Sequence, residues 1–477
     1  MRIGQTSVVV FISRVASSLI GFLATLYFAR VLGAEILGYY ALTIALASWI
    51  QLGGNLGISG AIEKRISEGT DTKEFVGAGV LLIGIFVVLS GIGILISSNL
   101  INKYVGRNVA GFVVMLVTSG LGLSLVNSVL NGQKSVHISG LLNPVRELTR
   151  VSTQVALVFL SLGLGGLLIG QAVGWFIGIV IGAKYINIGF SRPAKEHLKS
   201  LYEYSKYSWI GNLKSRVFND VDMLILGFFV PASLVGVYSV VWGITVMLMT
   251  FNKSISGTLF PEISQADAQG EPETVASLIT DGIRYTGLLL IPGVVGGSIL
   301  SDRLLLLYGP EFSQGTAVIG FLLLAVLLYG YAHQLLNSLN AIGRPDLTFR
   351  INITFITFNA VSNLVLIQII GWIGAALTTM LSAAIGLILS FKSLQREVRF
   401  AVPKKEIFKQ IIAAIIMGCI VYMGNGIENT YGIISQNTVT VLILVFAGAL
   451  FYFATLIIIS SKFRRTIHKN IPKNKYI

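Results

Sequence analysis

Charge is what this chain has least of. Only 12% of its 477 residues are charged, about half of the roughly 25% usual in soluble domains. Hydrophobic residues make up 54%, and mean hydropathy is +0.79. That balance, with apolar runs recurring along the whole length, excludes a soluble globular domain and reads as an all-α polytopic membrane protein. The single cysteine, Cys419, lies inside an apolar run, which excludes a disulfide framework and a cysteine metal site. Four histidines, His137, His197, His333 and His468, are too scattered for a metal triad. No GxxxxGK[ST] loop occurs, so ATP hydrolysis within this chain is not expected. No nucleophile and base stand in a recognisable arrangement, so no enzyme and no cofactor are expected. The formal net charge of +14 could suggest nucleic acid in a soluble protein. Here the placement of the charge gives it another meaning, and no nucleic-acid partner is expected.

Apolar windows of about 20 residues predict fourteen spans, at 5–29, 36–58, 75–98, 109–130, 141–161, 164–186, 205–229, 233–257, 281–304, 315–339, 347–370, 372–391, 406–424 and 437–460. The opening MRIGQTSVVVFISRV runs into the first window without a small-residue cleavage site and reads as an uncleaved first helix. With the N-terminus in the cytoplasm, 28 of the 35 basic residues fall on inside segments or at the inside ends of the windows. Only Arg30, Lys103, Arg107 and Arg303 fall outside, and Arg14, Lys214 and Arg216 lie within spans. The positive-inside rule then predicts both termini in the cytoplasm of a multi-pass protein of the cell membrane. The basic surplus is an orientation signal first and an attraction to anionic lipid second. Outside connections are short, and the longest inside ones are expected at 186–204 and 258–280.

A repeat of about 200 residues runs through the chain. SRV at 13–15 recurs at 215–217, LGAEILGYYAL at 32–42 resembles FVPASLVGVYSV at 229–240, and LNGQK at 130–134 resembles LNAIGR at 339–344. Three matches in one order predict two six-span lobes in the same orientation, a recurring transporter plan with the substrate site at the repeat interface. The expected division is residues 1–204, residues 205–400, and a last segment, 401–477, holding two added spans and a basic tail.

The chemistry expected of such a protein sits where charge enters the spans. Arg14 lies about nine residues into the first window, roughly 13 Å at 1.5 Å per residue, and shares a polar face with Ser17 and Ser18. The seventh window carries Lys214, Arg216, Asp220 and Asp222. Each such charge costs about 2.5 to 3.5 kcal/mol at a helix centre on insertion scales, so these groups must face protein or water. Arg216 and Asp220 are spaced to pair with each other. Arg146 and Arg150 add a basic face at the mouth of the fifth window. Guanidiniums suit phosphate because their planar fork bonds two oxygens, so Arg14, Lys214, Arg216, Arg146 and Arg150 are the candidates for an anionic, phosphate-bearing substrate. Polar stripes at helical spacing, among them Ser124, Asn127 and Asn131, then Tyr329, His333, Asn337 and Asn340, then Thr348, Asn352, Asn359 and Asn363, read either as interhelical hydrogen bonds of about 0.6 kcal/mol each or as a hydrated lumen. Asn337 and Asn359 are the candidates to meet sugar hydroxyls. Asp220 and Asp222 are the candidates for a coupling Na⁺ or H⁺.

The segments SRVASSLIGFLATLYFARVLGAEILGYYAL, SRVFNDVDMLILGFFVPASLVGVYS, FPEIS at 260–264 and LNAIGRP at 339–345 resemble the Wzx-type flippases, in the polysaccharide transport branch of the multidrug/oligosaccharidyl-lipid/polysaccharide exporter superfamily. The resemblance covers essentially the whole chain. It implies two six-helix lobes about a central cavity open to each side in turn, a polyprenyl-phosphate or diphosphate glycan of undecaprenyl or dolichyl type as cargo, and a groove for the prenyl tail at the last two spans. It supports Arg14 and Arg216 as cavity residues. Membrane lipids and other glycan assembly proteins are the further partners it suggests. The competing readings are a cation-coupled drug exporter of the same superfamily, which calls for acidic cavity residues, and an integral-membrane glycan polymerase or ligase, which calls for a sizeable external loop.

Overall fold

The computed structural model describes the backbone of residues 3–470 except 433 and 435, and the side chains of Ser13, residues 16–205, Leu213 and residues 216–465 with the same two exceptions. Helices run along most of the described chain, in the order α1 (Ile3–Asn55), α2 (Ile58–Glu68), α3 (Thr72–Ile96), α4 (Ser98–Val105), α5 (Ala110–Gly132), α6 (Val136–Phe159), α7 (Gly163–Ala183) and α8 (Lys195–Arg216). A single π turn, Val217–Val221, joins α8 to α9 (Asp222–Phe229). Then come α10 (Ala232–Met247), α11 (Met249–Ala268), α12 (Pro272–Ile299), α13 (Ser301–Leu306), α14 (Thr316–Ala341), α15 (Pro345–Ile370), α16 (Trp372–Glu397), α17 (Lys404–Tyr431), α18 (Asn437–Ile459) and α19 (Ser461–Asn470). Helices are the expected solution in lipid, because each backbone donor and acceptor must be satisfied within its own segment.

Eleven of these segments are long and apolar enough to cross a membrane, and the protein is a multi-pass membrane protein. The other expected windows fall on α6, on α8 with α9, and on one arm of α1. Apolarity alone passes over the first two because they carry charge, and it reads α1 as one segment, although Gly33 (φ 80°, ψ 172°) breaks it between the first two windows. Apolarity therefore does not by itself yield the number fourteen. The long inside connection expected at 258–280 is instead helix. Helix α11 runs to Ala268, α12 starts at Pro272, and Gly270 (φ 71°) turns the chain between them.

By packing, the chain divides into two compact units. The first comprises residues 1–240 and 356–375. Within it α6 packs on α1 and α7, α5 on α1, α2, α3 and α7, and α8 on α2. A core of Ala61, Ile62, Phe75, Val129 and Leu201 closes one end. The repeated segments meet here. A Cβ on Gly38 would lie 1.7 Å from the carbonyl oxygen of Ala232, and one on Gly236 would lie 1.8 Å from that of Ala34. Ala34 and Gly38 in one copy match Ala232 and Gly236 in the other, so each copy's small-xxx-small pair seats the backbone of its counterpart. Association between helices in lipid rests on this kind of close packing, since lipid tails are as apolar as leucine.

The second unit comprises residues 241–355 and 376–477. Its centre is α12, which packs on α11, α14 and α17, with α18 against α17. One core gathers Leu259, Ile279, Ile283, Leu335, Leu339 and Leu394. A second, with Ile291, Ala413, Met417, Leu444 and Tyr452, fastens α17 and α18 to α12.

Candidate functional site

A cavity of about 510 Å³ lies within the first unit. Its wall is unlike the rest of the spanning surface. Gln51 and Asn55 come from α1, Ser124 and Asn127 from α5, Arg146 from α6, Trp175 from α7, and Arg216, Asn219 and Asp220 from the stretch around the π turn. Helices α1 and α5 each turn a polar stripe inward. Gln51 follows Ser48 by three residues and precedes Asn55 by four, and Ser124 precedes Asn127 by three, both spacings of one helical face. Gly120 on α5 makes room for the first stripe, since a Cβ there would lie 2.3 Å from Gln51 Nε2, which donates to the carbonyl of Leu116 at 3.0 Å. Asn55 Nδ2 donates to Ser124 Oγ at 3.2 Å, and the hydroxyls of Ser124 and Ser59 stand 2.8 Å apart. These amides and hydroxyls bind one another at the wall and present their remaining donors and acceptors to the cavity.

Two guanidiniums reach this space with different company. Arg216 Nη1 is 3.0 Å from Asp220 Oδ2, with side chains 37% and 22% exposed, so the i,i+4 pair expected from sequence forms and stands at the cavity wall. Arg146 lines the cavity and, among the described residues, has no hydrogen bond and no ion pair. Arg150, one turn on, does not line it. Its Nε donates to Glu147 Oε2 at 3.1 Å, its Nη2 makes a second bond to Glu147 Oε1, and its Nη1 donates to Gln154 Oε1 at 2.8 Å. Gln154, fully buried, donates in turn to the carbonyl of Leu167 at 2.7 Å.

The two aspartates part company as well. Residues two apart on a helix point roughly 200° apart at ~100° each, and Asp222 accordingly faces away from the cavity wall. It is buried, accepting from Tyr238 Oη at 2.6 Å and from Asn363 Nδ2 at 2.8 Å. Asn363 Nδ2 also lies 3.1 Å from Asn359 Oδ1. Asn359 therefore belongs to this buried cluster and not to the cavity lining. Asn337 lies in the second unit, donating to the carbonyl of Ser256 at 2.7 Å, an α14 to α11 contact. The side chains of Arg14 and Lys214 lie outside the described residues. Gln51, Asn55, Trp175 and Asn219 were not singled out from the sequence. For the first two, the Ser48, Gln51, Asn55 spacing was the available signal. Trp175 and Asn219 carried none.

Among the described residues no three histidine, cysteine or acidic side chains gather as a metal site. The chemistry on offer is recognition. One unengaged guanidinium, an ion pair, several amides and an indole around a wet space can hold an anionic group together with a hydroxylated ring.

The polysaccharide biosynthesis protein family matches residues 3–267, and the lipid II flippase MurJ family matches residues 148–446. The chain is 32% identical to a probable flippase, AglR, of Haloferax volcanii, over 99% of both chains. It is 28% identical to a probable low-salt glycan biosynthesis flippase, Agl15, of the same organism, again over 99% of both. Among solved structures, lipid II flippase MurJ in an inward closed conformation superposes with a TM-score of 0.79, at 17% identity over 96% of this chain and all of that one. An inward-facing multidrug resistance MATE transporter gives 0.63, at 15% identity over 80% of this chain and 95% of that one. At those identities the two structures speak for a shared fold.

Proposed function

The chain belongs to the polysaccharide biosynthesis protein family, and from that premise we propose that it is a flippase, a transporter and not a catalyst, which carries a polyprenyl-phosphate or diphosphate oligosaccharide across the cell membrane. Its near-full-length relatives bear the names of glycan flippases, and the cavity of the first unit has the chemistry such a cargo needs. Arg146 is the observation that carries the reading. A guanidinium among membrane-spanning helices, with no bonded partner among the described residues, costs several kcal/mol unless something anionic or water meets it. Phosphate meets it best, because the planar fork binds two oxygens. Arg216, with Arg14 and Lys214, supplies further positive charge, while Asn127, Asn55 and the Trp175 face receive the sugar. Asn337 and Asn359 act in this scheme through the helix contacts they hold.

Of the two aspartates, Asp222 is the acid for a coupling Na⁺ or H⁺. It is a buried carboxylate, bonded by Tyr238 and Asn363, and burial of a carboxyl group favours taking up a proton, whereas Asp220 pairs with Arg216. Both termini lie in the cytoplasm, as the basic loops direct. The lobes 1–204 and 205–400 alternate in opening to each side while the prenyl tail stays in lipid beside the spans of 401–477.

The test is an Arg146→Gln/Arg216→Gln protein expressed in cells lacking the native chain. The expected result is normal membrane insertion, with lipid-linked glycan accumulating on the cytoplasmic leaflet and surface glycan lost. Full glycan delivery by the double variant would end the proposal.

A further inference from the structure

Arg303, the one basic residue of α13, is held by three asparagines that follow it by more than a hundred residues. Its Nε donates to Asn425 Oδ1, its Nη2 to Asn429 Oδ1 at 2.5 Å, and its Nη1 to Asn437 Oδ1 at 3.3 Å. Asn437 Nδ2 returns a bond to the carbonyl oxygen of Arg303 at 2.9 Å. All four belong to the second unit. The arrangement fastens α13 to the paired ends of α17 and α18, and a fastening could stop there.

Three features say that it does more. The partners are neutral. Among the described residues Arg303 has no carboxylate within ion-pair distance, so its full positive charge survives. A carboxylate was at hand, since Glu428 sits beside Asn429, but Glu428 Oε1 instead accepts from the backbone N–H of Ile434 at 3.0 Å. Next, a guanidinium has five N–H donors, and one bond from each nitrogen leaves one donor on each of Nη1 and Nη2, the fork that grips two oxygens of one phosphate. Finally, the cluster lies at a membrane boundary. Helix α17 ends at Tyr431 and α18 begins at Asn437. Asn425 is six residues before that end, about 9 Å at 1.5 Å per residue. Tyr431, 74% exposed, stands at the level where aromatic side chains meet head groups.

We propose that Arg303, positioned by Asn425, Asn429 and Asn437, docks the phosphate of a membrane lipid at this end of the second unit. Two sources share that chemistry, an ordinary phospholipid head group and a polyprenyl phosphate. The inference needs only the membrane-spanning fold and does not rest on the flippase reading.

The deciding variant is Asn429→Asp, which sets a carboxylate against Nη2. It keeps or strengthens the fastening while neutralising the charge, so a purely structural role and a binding role predict opposite outcomes. Binding of farnesyl phosphate, phosphatidylglycerol and, as control, farnesol is measured by native mass spectrometry on full-length protein in detergent. An Arg146→Gln/Arg216→Gln background keeps the cavity of the first unit out of the signal. Both phosphate lipids, or farnesyl phosphate alone, should bind at least about tenfold tighter than farnesol. Asn429→Asp should lose that preference at unchanged or raised thermal stability, and Arg303→Gln should lose it too. Before these changes, binding of both phosphate lipids identifies a head-group site, and binding of farnesyl phosphate alone a carrier-lipid site. Phosphate binding in Asn429→Asp equal to that of its background, or no preference over farnesol before the change, overturns the proposal.

Discussion

Arg146 and Arg150 sit one turn apart on α6. The first stands in the cavity of the first unit, and the second is bound on three sides by Glu147 and Gln154. The helix itself explains the difference. Glu147 is three residues before Arg150, where side chains meet, and one after Arg146, where they do not. The single carboxylate of this stretch is therefore committed to Arg150, which then continues through Gln154 to Tyr40 on α1 and Gln171 on α7. Two identical residues on one face have become a helix fastener and an unengaged cation. What an arginine does in a membrane protein is decided by which carboxylate its spacing allows it to reach.

The largest effect should come from removing that carboxylate. Glu147→Gln leaves the Arg150 charge, only 14% exposed, without its counterion, and breaking a buried pair on one side costs about 3 to 5 kcal/mol. Thermal unfolding in detergent, or the amount of protein in the membrane, reads this directly. Replacing both partners together, as Glu147→Gln/Arg150→Met, should recover most of the loss and come within about 2 kcal/mol of the parent, since an apolar pair can stand in for a buried ionic one. A double variant as unstable as Glu147→Gln alone would mean that Arg150 holds something beyond this pair. Next in size is Arg146→Gln, which should change stability by less than about 1 kcal/mol because no bond within the described chain is lost. It should nevertheless lower delivery of lipid-linked glycan at least about tenfold. Arg146→Gln with undiminished delivery would erase the distinction between the two arginines.

Much of this arrangement could be read before any coordinates. Helical spans follow from apolar length, the likeness of 32–42 to 229–240 shows in the sequence though their crossing at Gly38 and Gly236 does not, and Arg216 meets Asp220 at their i,i+4 spacing. Those features are local, or they are copies of one another. What stayed hidden depends on partners far along the chain. Asp222 separates from Asp220 through Tyr238 and Asn363, and Arg303 finds its asparagines more than a hundred residues away. Arg150 is the instructive case between these extremes. Glu147 was visible at i,i+3, but a count of positive charge on one face weighs every arginine alike and ignores the neighbour that cancels one of them. Trp175, alone in a glycine-rich helix, had no pattern to announce that it would face a cavity.

The smallest change also tests the comparison most finely. Tyr40 Oη donates to Gln171 Oε1 at 2.9 Å and lies 3.4 Å from Gln154 Nε2, beside Arg150. Tyr40→Phe deletes one hydroxyl with its two hydrogen bonds and leaves the Glu147 pair and the bond from Arg150 to Gln154 in place, so the expected loss is about 1 to 2 kcal/mol. If Arg150 and its partners only fasten helices, transport per folded molecule should not move, because the cavity lining contains none of these groups. Should Tyr40→Phe instead slow transport as much as Arg146→Gln at no greater cost in stability than this, the network would have to shift during the transport cycle. Arg150 would then belong to the moving parts, and its bonds to Glu147 and Gln154 would describe only one of its states.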